Sequence, residues 1–459
     1  MIIPNFRKKN VNLMNKIGFL VSISVSSFCS FSQISPAISG WLINTTGITG
    51  RHYLNGNSTP IVDPELANVQ SVQYSASWVY ATTQGIPAFI TGPFNANPNS
   101  VITPAASIYR IPLNPVKNTA VLTNTGAGNI GVFKNGVGLF SFGDGFAYNP
   151  GTNTDAPTPN GVWRRDAVKA EVNGFDCSKA HPAAQGNYHH HQNPSAFNLD
   201  LVQLSSICNL YTSDGLYVIN PSVHSPLLGF AFDGFPIYGA YGYQDTLGLG
   251  TIVRMKSSYS LRNITTRTTY SDGTDVVDGP PVSSTFPLGW YREDYEYIAH
   301  PNDASYLDIH NGRFCVTPEY PNGIYCYFTT VDENHNSYYP YCVGPTYYGI
   351  RTGGKVTTIN EITQTYSSSA GMTNQEILNL ELTIYPNPSI DLIAIQSNEI
   401  VAQDLKIELI NSEGKVVQSK ILFQGSSICH LEIDTIYAGT YTIRVYNDSY
   451  NKTYQVVIQ

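Results

Sequence analysis

The sequence predicts a mainly β protein, with a large β-rich body containing an internal duplication and a small C-terminal β-sandwich. Three observations carry that expectation. Charged residues make up only 13% of the 459, whereas Tyr (32), Gly (38) and Pro (28) are abundant, a composition of short strands and frequent turns. Runs of alternating apolar and polar residues recur between turn formers. Two segments, 130–140 and 228–238, each read as strand, Asn-Gly or Asp-Gly, strand, the strongest short-range hairpin signal.

At the N-terminus, Arg7, Lys8, Lys9 and Lys16 precede an apolar run from Ile17 to Phe31, with small residues at Ser30 and Ser32. This pattern predicts a cleaved signal peptide over residues 1–32. The run is shorter than the roughly 20 residues a spanning helix needs, so no transmembrane anchor is expected. Residues 33–128 read as β-structure around Trp41 and Trp78, without chemistry of their own. They form the first part of a functional body that runs to about 364, its domain over 129–364 carrying the histidines, and a linker over 365–378 follows. The C-terminal 379–459 alternate as Leu405 to Ile410, a turn from Asn411 to Gly414, Val416 to Leu422, Leu431 to Ile433, Ala438 to Val445 and Tyr454 to Ile458, the pattern of a small sandwich. A net charge of -8 offers no basic footprint, so nucleic acid is not an expected partner.

The chemistry concentrates in Gly186-Asn187-Tyr188-His189-His190-His191-Gln192-Asn193-Pro194. On a strand, alternate side chains share a face, so His189 and His191 project together while His190 points the other way, as a surface residue or a stand-in for an aromatic. Two imidazoles are half of a metal site, and a divalent ion needs three or four ligands. His181, in Asp176-Cys177-Ser178-Lys179-Ala180-His181-Pro182, and His224, in His224-Ser225-Pro226, are the next candidates. Imidazole ligands favour Zn or Cu over Mg. Asp233, in the Asp-Gly turn, is either a turn residue or a carboxylate serving as general base. The bland reading makes the histidines buried rings hydrogen-bonded to tyrosines. Asp272-Gly273-Thr274-Asp275 and Asp332-Glu333-Asn334 resemble fragments of Ca loops without the full ligand spacing.

The duplication aligns 130–140 with 228–238, and 186–191 with 323–328, so that Cys326 and Phe328 stand where the first copy has His189 and His191. His310, in Asp308-Ile309-His310-Asn311-Gly312, is a candidate second-half counterpart. In an exported chain, cysteine pairs read as disulfides. Cys177 and Cys208 bracket the histidine strand and are expected to pair. Cys315, Cys326 and Cys342 can supply one further pair, with Cys315–Cys342 the expected choice, and Cys429 is alone.

The histidine segment resembles the YHYH-domain family, with His190 replacing the second tyrosine and both family histidine positions kept as His189 and His191. Asp176, His181-Pro182, Pro194, the Gly229 to Gly239 segment and the Asp308 to Gly312 segment extend the resemblance. It implies a fold relationship and site positions, but no reaction. The C-terminal module resembles the type A sorting domain of the type IX secretion system of Bacteroidota, through Tyr385-Pro386-Asn387-Pro388, Ser412-Glu413-Gly414-Lys415 and Ala438-Gly439-Thr440-Tyr441. It implies export, handling by the type IX machinery, and release or attachment at the outer-membrane surface. The expected function is therefore a secreted or cell-surface protein with a histidine metal site. The alternative is a non-catalytic extracellular module whose tyrosine-rich surface holds a glycan or a surface protein.

Overall fold

The computed structural model describes residues 34–94, 106–195, 219–367 and 380–459, apart from a few positions inside these stretches. The expected signal peptide, Cys208 and most of the expected linker lie outside the described residues. Short strands dominate, and the body is organised around one eight-stranded sheet. Its strands are β1 (Asn129–Phe133), β2 (Gly138–Phe140), β3 (Ala180–Pro182), β4 (Tyr188–His190), β5 (Leu227–Ala231), β6 (Pro236–Tyr238), β7 (Gly312–Cys315) and β8 (Ile324–Phe328). Their order across the sheet is β3-β4-β2-β1-β5-β6-β8-β7.

That order is symmetric, and it makes the duplication visible. Each half is an antiparallel hairpin, β1-β2 or β5-β6, whose second strand pairs in parallel with β4 or β8, which in turn pairs antiparallel with β3 or β7. Register is preserved: His190 lies opposite Leu139 in one half and Tyr327 opposite Ile237 in the other. Ahead of β3 and β7 the same corner recurs. Asp176 N–H donates to Ala180 O and Asp308 N–H to Gly312 O, each at 2.9 Å. Lys179 and Asn311 take φ of 63° and 64°, and the Tyr188 and Tyr325 hydroxyls donate to the Asp176 and Asp308 carboxylates, each at 2.8 Å. A buried carboxylate without such donors would be strongly disfavoured, so each Asp–Tyr pair fixes its corner to its strand.

The halves meet where β1 and β5 pair antiparallel about Val132 and Phe230. The equivalent residues Gly131 and Gly229 sit at this joint. A Cβ on Gly229 would lie 2.2 Å from Val132 O, and one on Gly131 would lie 2.8 Å from Phe230 O, so the backbone approach admits only glycine.

Residues on both sides of position 129 share structure. A five-stranded sheet runs Gly354–Val356, Ser107–Pro112, Trp78–Thr83, Val69–Tyr74, Gln364–Tyr366. Its outer strands come from the chain beyond the eight-stranded sheet, and Gln364–Tyr366 runs past the expected start of the linker. One apolar core joins Val72, Val79 and Ile111 to Val132, Leu139, Phe230 and Ile237. The C-terminal module is a sandwich of three and four strands around Ile393, Ile395, Ile407, Leu409, Leu431, Ile443 and Val445. Leu405–Ile410 and Val416–Leu422 form as expected, and the Asn411 side chain closes the turn between them.

The expected Cys315–Cys342 disulfide is not formed: both are buried free thiols, as are Cys326 and Cys429. Cys315 ends β7, where its thiol meets that of Cys326 on β8. Cys342 is held separately, its carbonyl accepting Asn311 Nδ2 at 3.1 Å. Cys177 is not among the free thiols.

Substitution tests the joint. Gly229→Ala is expected to destabilise the body by about 3 kcal/mol through overpacking against backbone, whereas exposed Gly145, with open space at its Cβ position, should accept alanine within about 0.5 kcal/mol. Urea midpoints of the two variants read the difference directly.

Candidate metal centre

On the outer edge of the sheet, β3 and β4 pair so that His181 lies directly opposite His189. The period of two puts His191 on the same face as His189, and all three rings converge there. A fourth group arrives from outside the sheet. Asp166 caps the short helix Ala167–Ala170 by accepting Val168 N and Lys169 N, and is itself held by the Tyr341 hydroxyl at 2.7 Å. Glu171 follows that helix, immediately before the 3-10 turn Val172–Gly174. One ligand atom from each of Glu171, His181, His189 and His191 lies within 4.8 Å of every other.

The distances within the cluster are short. His189 Nε2 and His191 Nε2 are 3.0 Å apart, and Glu171 Oε2 lies 3.1 Å from both His181 Nε2 and His191 Nε2. Metal–ligand bonds of about 2.0 Å in a tetrahedron put neighbouring ligand atoms about 3.3 Å apart, close to this spacing. Glu171 Oε2 and His181 Nε2 are both buried, with no hydrogen-bond partner outside the cluster. Phe140 stacks on His189 with ring centroids 3.9 Å apart, and Phe175 meets His181 edge-on at 4.8 Å, walling the rings on their apolar sides.

The far nitrogens settle the tautomers. His189 Nδ1 donates to Asn187 O at 2.9 Å and His191 Nδ1 donates to Ser141 O at 2.6 Å. A carbonyl can only accept, so each neutral ring carries its proton on Nδ1 and presents a bare lone pair at Nε2. Two bare lone pairs facing each other across 3.0 Å repel unless a proton or a cation lies between them. This is how outer-shell carbonyls orient histidine ligands.

Electrostatics sort the four groups. Burial, reinforced by the neighbouring rings, holds His189 well below the ordinary imidazole value, and burial lowers His181 as well. Burial also acts against charge on His191, but Glu171 outweighs it and raises this ring. For Glu171 burial acts upward, and the contacts with His181 and His191 overcome it, so the group stays ionised. The carboxylate side chain is 27% exposed, against 8% for His181 and 5% for His191, although the Oε2 that faces the rings is buried.

Of the sequence candidates, His181, His189 and His191 are brought together, whereas His224 and Asp233 stand in the other half of the sheet. His224 packs against Tyr238 and Phe328 with its Nδ1 bonded to Ser225 O at 2.7 Å, and burial lowers it to about 4. The wholly buried Asp233 accepts the Tyr327 hydroxyl at 2.6 Å and Gly349 N at 2.8 Å. Burial raises it to about 6. Its turn role repeats that of Asn135, which also accepts from the amide two residues on.

His190 is not a surface residue. It is 1% exposed and sits among Phe89, Phe133 and Tyr188, because its face of β4 is covered from the N-terminal part of the body. His310 is the counterpart of Ser178, and its Nδ1 meets Thr346 Oγ1 at 2.8 Å. The counterparts of His181, His189 and His191 are Arg313, Cys326 and Phe328. Sequence reasoning missed Glu171, whose only local signal is a carboxylate after a short capped helix.

The YHYH protein family matches residues 108–343, more than half of the chain, and the chain belongs to that family. The secretion system C-terminal sorting domain matches residues 383–459. A comparison with curated proteins gives no match. The sorting domain makes this a protein secreted or held at the outer-membrane surface through the type IX machinery. No helix among the described residues is long and apolar enough to cross a membrane.

Because His190 lies outside the cluster but is fully buried, His190→Tyr, which restores the family's aromatic, should destabilise by about 1–3 kcal/mol through overpacking and leave the His181, His189 and His191 tautomers unchanged. Thermal unfolding and imidazole NMR shifts check both halves of this expectation.

Proposed function

We propose that this secreted or surface YHYH protein holds one divalent transition metal, Zn or Cu, between Nε2 of His181, His189 and His191 and the carboxylate of Glu171. The observation that carries the reading is the pair of carbonyl-locked rings whose bare Nε2 atoms face each other at 3.0 Å. Three neutral imidazoles and one carboxylate suit Zn or Cu better than Mg or Ca, which prefer all-oxygen sites. A metal so held could activate water or support redox chemistry if a position opens to substrate, and His224 and Asp233 have no part in it.

A second reading rests on a different observation. A cleft of about 490 Å³ on the five-stranded sheet is lined by Trp78, Tyr80, Arg110, Asn360 and Glu361, a mixture of rings and hydrogen-bonding groups that suits a glycan. In that reading His191 carries a proton, paired with Glu171, and the cluster is structural.

Elemental analysis separates the two. The parent protein, exported without added metal, should carry about one Zn or Cu per chain; His189→Ala/His191→Ala should carry none, and His224→Ala should match the parent. A metal-free parent that binds a glycan panel unchanged by chelator would favour the second reading.

A further inference from the structure

We infer that Glu171 is the exchangeable ligand of this centre, and that a small monoanion reaches the metal by taking its place. This rests on the metal reading above and adds a direction of entry and a ligand class to it. The four ligands are not held alike. His181 and His189 face each other in register across paired strands, and His189 and His191 are further fixed through Nδ1 by backbone carbonyls. Glu171 belongs to no strand. It lies at the junction between a four-residue helix and a three-residue turn, and its Oε2 is held only by the cluster itself, at 3.1 Å from His181 Nε2 and His191 Nε2. Its side chain is the most exposed of the four, at 27%, although Oε2 itself is buried. Rotation about its side-chain bonds can therefore withdraw the carboxylate, while withdrawal of His189 or His191 would break its Nδ1 hydrogen bond to a backbone carbonyl.

Charge decides the class of the incoming group. Three neutral imidazoles and one carboxylate leave a divalent ion with a net charge of +1. Replacing Glu171 by a neutral ligand would leave +2 beside rings that are 2–6% exposed, an unfavourable burial of charge. An anion keeps the total unchanged. Phe140 and Phe175 cover His189 and His181, so the incoming group enters where Glu171 now lies.

Azide, a small anion with a charge-transfer band on Cu(II), is a suitable probe of the full exported chain loaded with Cu(II). Glu171→Ala should keep about one copper per chain and bind azide about tenfold more tightly than the parent, because the internal competitor is gone. Glu171→Gln, which preserves side-chain shape, should fall between them. Loss of copper from both variants, with circular dichroism unchanged, would overturn the inference by making Glu171 a fixed ligand. Equal azide affinity in all three proteins would overturn it by denying competition. A parent that takes up no copper would instead overturn the metal reading on which the inference stands.

Discussion

The structure around the site depends on one constraint: strand pairing that sets His181 opposite His189, while carbonyl oxygens of Asn187 and Ser141 hold the Nδ1 protons of His189 and His191. Pairing fixes where the rings start, and the hydrogen bonds fix which nitrogen each presents. Neither alone would suffice. A ring placed without a tautomer could turn its N–H inward, and a tautomer without a fixed backbone would let the rings separate. Ser141 matters twice, because its N–H is bonded to Gly128 O at 2.7 Å, which steadies the carbonyl that orients His191. The burial of three imidazoles carries a desolvation cost, which the proposed cation, shared by their lone pairs, would offset.

The second half of the sheet shows the same frame with other side chains at the three histidine positions. Its corner, register and Asp–Tyr pair are kept, but Arg313 replaces His181 and turns away to donate to the carbonyls of Ala304, Tyr243 and Gln244. Phe328 fills the place of His191, with the Arg313 guanidinium 5.7 Å above its ring. Cys326 occupies the place of His189 and meets Cys315. Every polar replacement finds a partner within its own half. The frame is thus independent of the site, and the chemistry of the first half is carried by a handful of side chains added to it.

Much of this was legible in the sequence for definite reasons. Alternation in Tyr188-His189-His190-His191 assigned faces correctly, and Asn135-Gly136 and Asp233-Gly234 marked both hairpins because such turns need residues tolerant of positive φ; Gly136 and Gly234 have φ of 81° and 93°. What failed was long-range. Glu171 approaches His181 across a 3-10 turn and a corner whose geometry has no spacing signature. The burial of His190 depends on Phe89, about a hundred residues away in the chain. The Cys315–Cys342 expectation ignored the diagonal neighbour across the β7-β8 hairpin, and the return of Gln364–Tyr366 to the N-terminal sheet left no mark in the local pattern.

The central claim is that three histidine Nε2 atoms and one carboxylate surround a single ion. X-ray absorption at the metal edge of the purified exported protein tests this most directly. The account predicts imidazole multiple scattering from three rings and one oxygen donor, with nitrogen shells at about 2.0 Å. An edge showing no imidazole scattering, or no bound metal at all, would contradict it.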